Sequence, residues 1–311
     1  MIGVNSPREI AFFYDAARRG INDEAAPFEG AGVQIQHRVF PRLGEGEKDA
    51  FEEAIAAGLD GLIVVPGDLP SLKSSFRKAA KLGLPVLCLV TDAPNSQKLC
   101  SVSINTHSMG AISASLMGRF LGGSGKIMVT TGNLKVADHE QKFAAFEQTI
   151  KAEFPKMQVF PAIENHEIAE EAYRTSRAFV AKHRDTSGVY ISTGNGAPVL
   201  EALDEIKLLG KLTVISTDVY ASAVPHIRSG AVAAVLYERP YSQGRTAFRL
   251  MYEYLVEGRL PVPEIRLEPL LIMNSNLGAF ISRPGSENQN KGNRAPLTLT
   301  DELVLFDQRQ S

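Results

Sequence analysis

The chain of 311 residues has few of the features that announce chemistry directly. It carries only two cysteines, Cys88 and Cys100, and no CxxC pair, which excludes a metal site of the usual cysteine spacing. Both cysteines fall on expected strands, where free thiols behave as small apolar side chains, so two buried thiols are expected in preference to a disulfide. No metal and no cofactor is expected. No apolar run approaches the roughly 18 residues needed to span a membrane. The opening, MIGVNSPREIAFF, has neither a basic nor an apolar leader segment and does not read as a secretory signal. The 33 basic and 35 acidic residues leave a formal net charge of -2, without the basic surplus expected of a free-standing nucleic-acid binder.

A nucleophile–base set is also missing. Ser113, Ser192 and Ser216 have no GxSxG context. Gly122-Gly-Ser-Gly-Lys126 precedes a strand and has no Ser or Thr after the lysine, so it is a turn rather than a phosphate loop. Gly30-Ala-Gly32 lacks the third glycine of a dinucleotide fingerprint and is also a turn. An enzyme on this chain would have to rest on Asp138 and His139 near Asp218, and the expectation is that it is not one.

What is present is an ordinary globular composition, 44% hydrophobic and 22% charged, in a chain long enough for about two domains. Apolar, β-branched runs alternate with stretches of helical spacing. Residues 33–40 read as strand, 47–58 as helix, 60–65 as strand and the stretch to Ala80 as helix. Residues 85–90 and 101–104 read as strands, 107–121 as helix, and a strand starts at Lys126 with a helix following from about Glu140. The same rhythm continues to a long helix over 242–257. Repeated βα units joined by Gly/Pro turns predict parallel sheets with helices on both faces. About ten strands are too many for one sheet, so two lobes are expected. Residues 282–311 read as a polar extension in which residues 298–306 are apolar enough to dock.

Six of the units place polar or aromatic residues where the run ends: Phe13/Tyr14, Thr91/Asp92, Asp138/His139, Asn195, Asp218 and Glu238. Ligands of parallel α/β sheets bind beyond the carboxyl ends of the strands, so the pattern describes a chain that holds a small polar molecule. Five of the six histidines have mundane expectations. His37 and His183 are expected in solvent, His226 on a polar helix face and His107 near a helix start, while His166, in Glu164-Asn-His-Glu167 after a strand, has a mundane reading with a pocket lining as the alternative. His139 is the exception, because Lys142 follows it one turn later; Asp138 alone would read as a helix N-cap.

These residues carry a resemblance. The first βα unit with AFFYDAARRGINDEA, then DGLIVVPGD, PVLCLVTDAPNS, VSINTHSMGA, TVISTDV and VLYERPYSQG resemble, in order and spacing, the type I periplasmic binding protein fold over about residues 2–277. That fold is shared by ribose-binding protein and the effector domains of LacI-type regulators. The resemblance implies an α/β chain of two Rossmann-like lobes with parallel sheets and a ligand cleft between the lobes. It implies an N-terminal lobe of 2–105 plus 239–270 and a C-terminal lobe of 106–237 plus 271–281, with hinges at Asn105, Glu238 and Leu271. Phe13 and Tyr14 would sandwich a sugar ring, while Thr91, Asp92, Asn195 and Asp218 would bind hydroxyls. His139 to Lys142 stand where the family has an arginine, with Asp138 just before them, and Glu238 stands where sugar binders often have glutamine. Ala11 replaces a frequent asparagine.

TDAPNSQKLCSVS, DHEQKFAAF, TDVYASAVPHIRSG and ERPYSQGR are most similar to LacI-type regulators. The resemblance therefore implies a cytoplasmic effector domain that forms a homodimer. It would take a small sugar or polyol as effector and reach operator DNA only through a helix-turn-helix outside this chain, with no membrane partner. A sugar receptor of an ABC importer is the alternative.

Overall fold

The computed structural model describes residues 1–281; the polar extension expected over 282–311, with its apolar 298–306, lies outside the described residues. The described chain forms two compact units. Unit 1 is Met1–Asn105, Val136–Asp138 and Arg239–Glu268; unit 2 is Thr106–Lys135, His139–Glu238 and the chain from Pro269. The protein is α/β, as the alternation predicts, with two sheets of mostly parallel strands.

Unit 1 is built from β1 (Ile2–Pro7), α1 (Ala11–Ala25), β2 (Ile35–Phe40), α2 (Glu47–Ala56), β3 (Gly61–Val64), α3 (Leu69–Lys81), β4 (Val86–Val90) and β5 (Cys100–Ile104). Unit 2 opens with α4 (Thr106–Phe120), β6 (Ser124–Thr131), α5 (Ala137–Glu153), β7 (Lys156–Val159), β8 (Ile163–Glu164), α6 (Ala169–Lys182) and β9 (Thr186–Ile191). It continues through α7 (Ala197–Glu205), β10 (Thr213–Thr217), α8 (Val224–Ser229) and β11 (Ala234–Tyr237). The chain then adds α9 (Pro240–Glu257) and β12 (Glu264–Leu267) to unit 1, and β13 (Leu270–Ile272) to unit 2.

The sheet of unit 1 runs β12-β5-β4-β3-β1-β2, all parallel. Its central strands are buried residue after residue, which is why they read as continuous apolar runs instead of alternating ones. The pleat sorts their side chains onto two faces. Ile63, Leu87, Leu89 and Cys100 meet Phe13, Tyr14, Ile21 and Phe248 of α1 and α9. Leu62, Val64, Val86 and Cys88 meet Phe51, Leu72 and Phe76 of α2 and α3. The two thiols therefore lie on opposite faces of adjacent strands, and both are free and buried as expected.

The sheet of unit 2 runs β13-β11-β10-β9-β6-β7, with β8 beside β6 and only β13 antiparallel. In both sheets the strand order reverses beside the first strand, between β1 and β3 and between β6 and β9. That reversal opens a crevice at the carboxyl ends of the strands.

Several expectations need correction. The alternation is not strict: β4 runs to β5, β7 to β8 and β12 to β13 without an intervening helix, and thirteen strands stand among the described residues in place of about ten. Phe13 and Tyr14 are not a strand ending. The strand stops at Pro7, Ile10 takes a left-handed conformation, and both aromatics sit in the first turn of α1. α5 begins at Ala137, so Asp138 lies inside the first turn and is not the residue preceding the helix. His183 is half-buried, stacked on Phe179 at 4.4 Å, and His37 is half-buried beside Asn22 at 2.8 Å; neither is simply solvated. The Gly122–Lys126 stretch is a turn entering β6, with positive φ at Gly122, Gly123 and Gly125.

Candidate functional site

At the strand ends of unit 1, Phe13 and Tyr14 meet edge to face, centroids 5.1 Å apart, and both are nearly buried among the residues under α1. Thr91, also buried, donates its hydroxyl to the Pro66 carbonyl. Asp92 accepts from the Ala93 amide at 2.8 Å and pairs with Lys98 at 2.7 Å. Val90, just before them, has a φ of 70°, a conformation a β-branched residue rarely takes. The same ends carry residues that sequence reasoning missed. Arg18 reaches the Ser6 hydroxyl at 2.6 Å. Glu47, buried, accepts from the amides of Gly67 and Asp68, and burial raises its carboxyl above the usual range.

Unit 2 gathers more. Its three central strands end in hydroxyl pairs: Thr130-Thr131, Ser192-Thr193 and Ser216-Thr217, all fully buried. Thr130 pairs with Ile191 and Ile215 with Tyr190, so by extension Thr131, Ser192 and Thr217 form one row across β6, β9 and β10 on a single face. Among the described residues the Thr131 and Thr217 hydroxyls have no hydrogen-bond partner, and Ser192 lies beside the Tyr190 hydroxyl. A buried polar group without a partner costs about 1–3 kcal/mol.

Beyond the row, His139 on α5 accepts from the Asn133 amide through Nδ1 at 2.9 Å. This leaves the proton on Nε2, which faces Glu167 Oε1 at 3.6 Å. Burial, then the charge of Lys142, pushes the imidazole down to about 3, so it is neutral near pH 7. Glu167 accepts from the Thr193 hydroxyl at 2.5 Å, and Gly132 lies against it. A β carbon on Gly132 would come within 2.2 Å of Glu167 Oε1 and 2.3 Å of His139 Cε1. Asn165, fully buried, holds the Glu167 amide at 3.0 Å and faces Asn195 at 3.5 Å. Asn195 in turn leans its amide on Thr193 at 3.2 Å.

The second half of the cluster is charged. Asp218, buried and held at a φ of 60°, accepts from the Glu238 amide at 2.8 Å. The Glu238 carboxylate pairs with Lys142 at 2.7 Å, with both side chains nearly buried. The structure thus links Asp218, Glu238, Lys142, His139 and Asn195 through contacts within unit 2. Asp138 stands one residue before His139 on α5. Asn105 bonds Glu268 at 2.7 Å within unit 1, and Leu271 lies beside Leu236 on β13, more than a third exposed.

Glu167, Asn165 and Thr193 were not among the expected residues. Their signal was present in Glu164-Asn-His-Glu167, where the histidine drew notice. His166 instead points outward to Glu171 at 2.9 Å, and its neighbours on either side turn inward. The repeated VTTG, ISTG and ISTD endings were the other available signal. Among the described residues no group of His, Cys, Asp or Glu is arranged to hold a metal ion, and no helix is long and apolar enough to cross a membrane.

Residues 2–259 match the family model described as a periplasmic binding protein domain. The chain belongs to that family. No curated protein sequence matches it. Among solved structures, this periplasmic binding protein domain is similar to an ABC transporter solute-binding protein from Agrobacterium vitis bound to α-D-tagatopyranose. The TM-score is 0.82 at 21% identity, covering 89% of this chain and 96% of that one. It is also similar to an ABC transporter solute-binding protein from Burkholderia graminis in complex with D-arabinose, with a TM-score of 0.83 at 20% identity, covering 90% and 97%. A protein from Bacteroides fragilis described as a LacI transcriptional regulator matches with a TM-score of 0.81 at 14% identity, covering 90% and 98%. At these identities the likeness establishes the fold of the family and leaves the ligand to be argued from the residues.

Proposed function

We propose that this periplasmic binding protein domain is the ligand-sensing domain of a LacI-type transcriptional regulator, and that it takes a small sugar or polyol. The observation that carries the binding reading is the linked polar cluster at the strand ends of unit 2. Acceptors at Asp218, Glu167, Glu238 and Asn195 surround a neutral His139 and a buried Lys142, a mixture suited to a molecule that both donates and accepts hydrogen bonds. In this reading Phe13, Tyr14, Thr91 and Asp92 complete the ligand's contacts, and Asp138 borders it. Asn105, Glu238 and the stretch leading into Leu271 act as hinges. The LacI assignment is supported by the motifs TDAPNSQKLCSVS and ERPYSQGR and by the Bacteroides fragilis match. The domain would work in the cytoplasm as a homodimer, with operator DNA contacted by a separate helix-turn-helix, and would not catalyse a reaction.

A second reading, the solute receptor of an ABC importer, is favoured by the two transporter proteins whose structures hold sugars. The test of binding is thermal melting with D-tagatose, D-arabinose, other aldoses, polyols, purines and amino acids. A ligand selective for the folded state raises the melting temperature by mass action. Asp218→Asn, which keeps an amide-accepting oxygen in a left-handed position, is expected to abolish the shift while the protein remains folded. No shift across the panel would overturn the binding reading. The reading frame upstream of Met1 separates the two assignments: a helix-turn-helix there supports the regulator, and a secretory signal supports the receptor.

A further inference from the structure

Besides the short stretch Val136–Asp138 at the start of α5, which groups with unit 1, the chain passes between its units at Asn105/Thr106, Glu238/Arg239 and Glu268/Pro269. On the unit 1 side the three ends are tied together by one residue. Glu268 accepts from the Asn105 side chain through its carboxylate at 2.7 Å and from Arg239 through its carbonyl at 3.4 Å. On the unit 2 side, two of the three ends are tied to one helix. Thr106, the first residue of α4, donates its hydroxyl to Gln141 Oε1 at 2.8 Å. Glu238 accepts from Lys142 Nζ at 2.7 Å. Gln141 and Lys142 are neighbours on α5, about 100° apart around its axis, so one turn of one helix reaches both crossings.

That turn cannot shift freely. α4 presses on it at Gly110, where a β carbon would lie 2.2 Å from the Lys142 carbonyl oxygen and 2.8 Å from the Phe146 amide. Phe146 in turn stacks on Tyr190 of β9 at 4.7 Å. The turn just before carries Asp138 and His139, and His139 feels the Lys142 charge. A displacement of α5 on its N-terminal side therefore has to move Gln141 and Lys142 together.

We propose that the first two turns of α5 form a relay, in which Gln141 and Lys142 are positioning residues that couple the ligand-facing turn at Asp138 and His139 to the crossings at Thr106 and Glu238. This rests on the reading that ligand is held at the strand ends of unit 2. Gln141 itself need not touch ligand; it acts through Thr106. Because both latches hang on one packed helix, releasing either one loosens both crossings.

Hydrogen exchange on the full, ligand-free chain tests this. Gln141→Leu is expected to speed amide exchange about tenfold at residues 105–107 and also at 238–243, and Lys142→Met to do the same in reverse, while the amides of β4 stay unchanged. The conservative variant Gln141→Glu keeps an acceptor for the Thr106 hydroxyl and is expected to leave both crossings as in the parent. If each variant loosens only its own crossing, or neither, the relay is overturned and the bonds are merely local. Should Lys142→Met fail to fold, the exposed Gln141 pair of variants decides the matter alone. The readout needs no ligand, so its failure is distinguishable from an empty thermal screen with D-tagatose and D-arabinose, which would sink the binding reading instead.

Discussion

Lys142 and Glu238, 96 residues apart in sequence, form an ion pair of 2.7 Å with side chains only 4% and 9% exposed. Removing one partner of such a pair leaves a buried charge without compensation, which costs about 3–5 kcal/mol, whereas replacing both with apolar groups is often close to neutral. Lys142→Met is therefore expected to lower the unfolding free energy by about that amount in urea titrations. The double variant Lys142→Met/Glu238→Leu should recover most of the loss. A single-variant cost below about 1 kcal/mol would place the pair among solvated surface bridges.

His139 gives a pH signature. Burial first, and Lys142 second, push it down to about 3 in the folded protein, against about 6.5 in the unfolded chain. As pH falls the unfolded state takes up this proton first. The contribution of His139 to stability is therefore intact above about pH 6.5 and is lost progressively on descent toward about pH 3. The stability difference between the parent and His139→Gln should be flat above pH 7 and fall by up to about 1.4 kcal/mol per pH unit below about 6. Using the difference removes the opposing contributions of Glu9 and Glu47, whose carboxyls burial raises. A pH-independent difference would show that His139 protonates freely in the native state.

Gly132 is expected to resist even a methyl group. With a β carbon 2.2–2.3 Å from Glu167 and His139, both side-chain ends must shift. Overpacking of this kind costs about 1–3 kcal/mol. Gly132→Ala should lower the melting temperature and weaken any ligand found in the thermal screen. Unchanged melting would mean that the loop after β6 yields without strain.

The two thiols offer the simplest check. Cys88 and Cys100 sit on opposite faces of one sheet, and burial raises both, Cys100 to about 12. Neither is a thiolate at neutral pH, so neither should react with an aromatic disulfide reagent in the native protein. Both should react once the chain is unfolded in denaturant. Recovery of fewer than two thiols from denatured, unreduced protein would contradict the free-thiol assignment.

The architecture was legible wherever one signal dominated. LIVV and VLCLV are apolar on both faces, and only a sheet covered on both sides buries such runs. Asp218, Glu238 and Asn195 were found because a polar residue directly after such a run interrupts an obvious pattern. Other residues were hidden for physical reasons. β8 is two residues long and has no period to detect. Glu167 owes its place to the left-handed turn at His166 and Glu167, which reverses which of four polar neighbours faces inward. Glu47 reads as an ordinary acidic helix start, and only the fold shows that it closes the loop after β3 through the Gly67 and Asp68 amides. Which strand-end acids would find a cation could not be read from spacing, since Lys142 and Glu238 lie on elements far apart in the chain.

Neither unit is a continuous stretch of sequence. Unit 1 acquires α9 and β12 only after unit 2 has been threaded almost to its end, and unit 2 receives β13 last. On the ribosome, the apolar face of β3 and β4 that α9 covers stays uncovered until residues 240–257 have emerged. A nascent chain stalled before Pro240 should therefore be a client for holding chaperones. The same dependence makes a fragment ending at Asn105 unfit to stand alone, so any construction that separates sensing from structure has to join both passes of the chain.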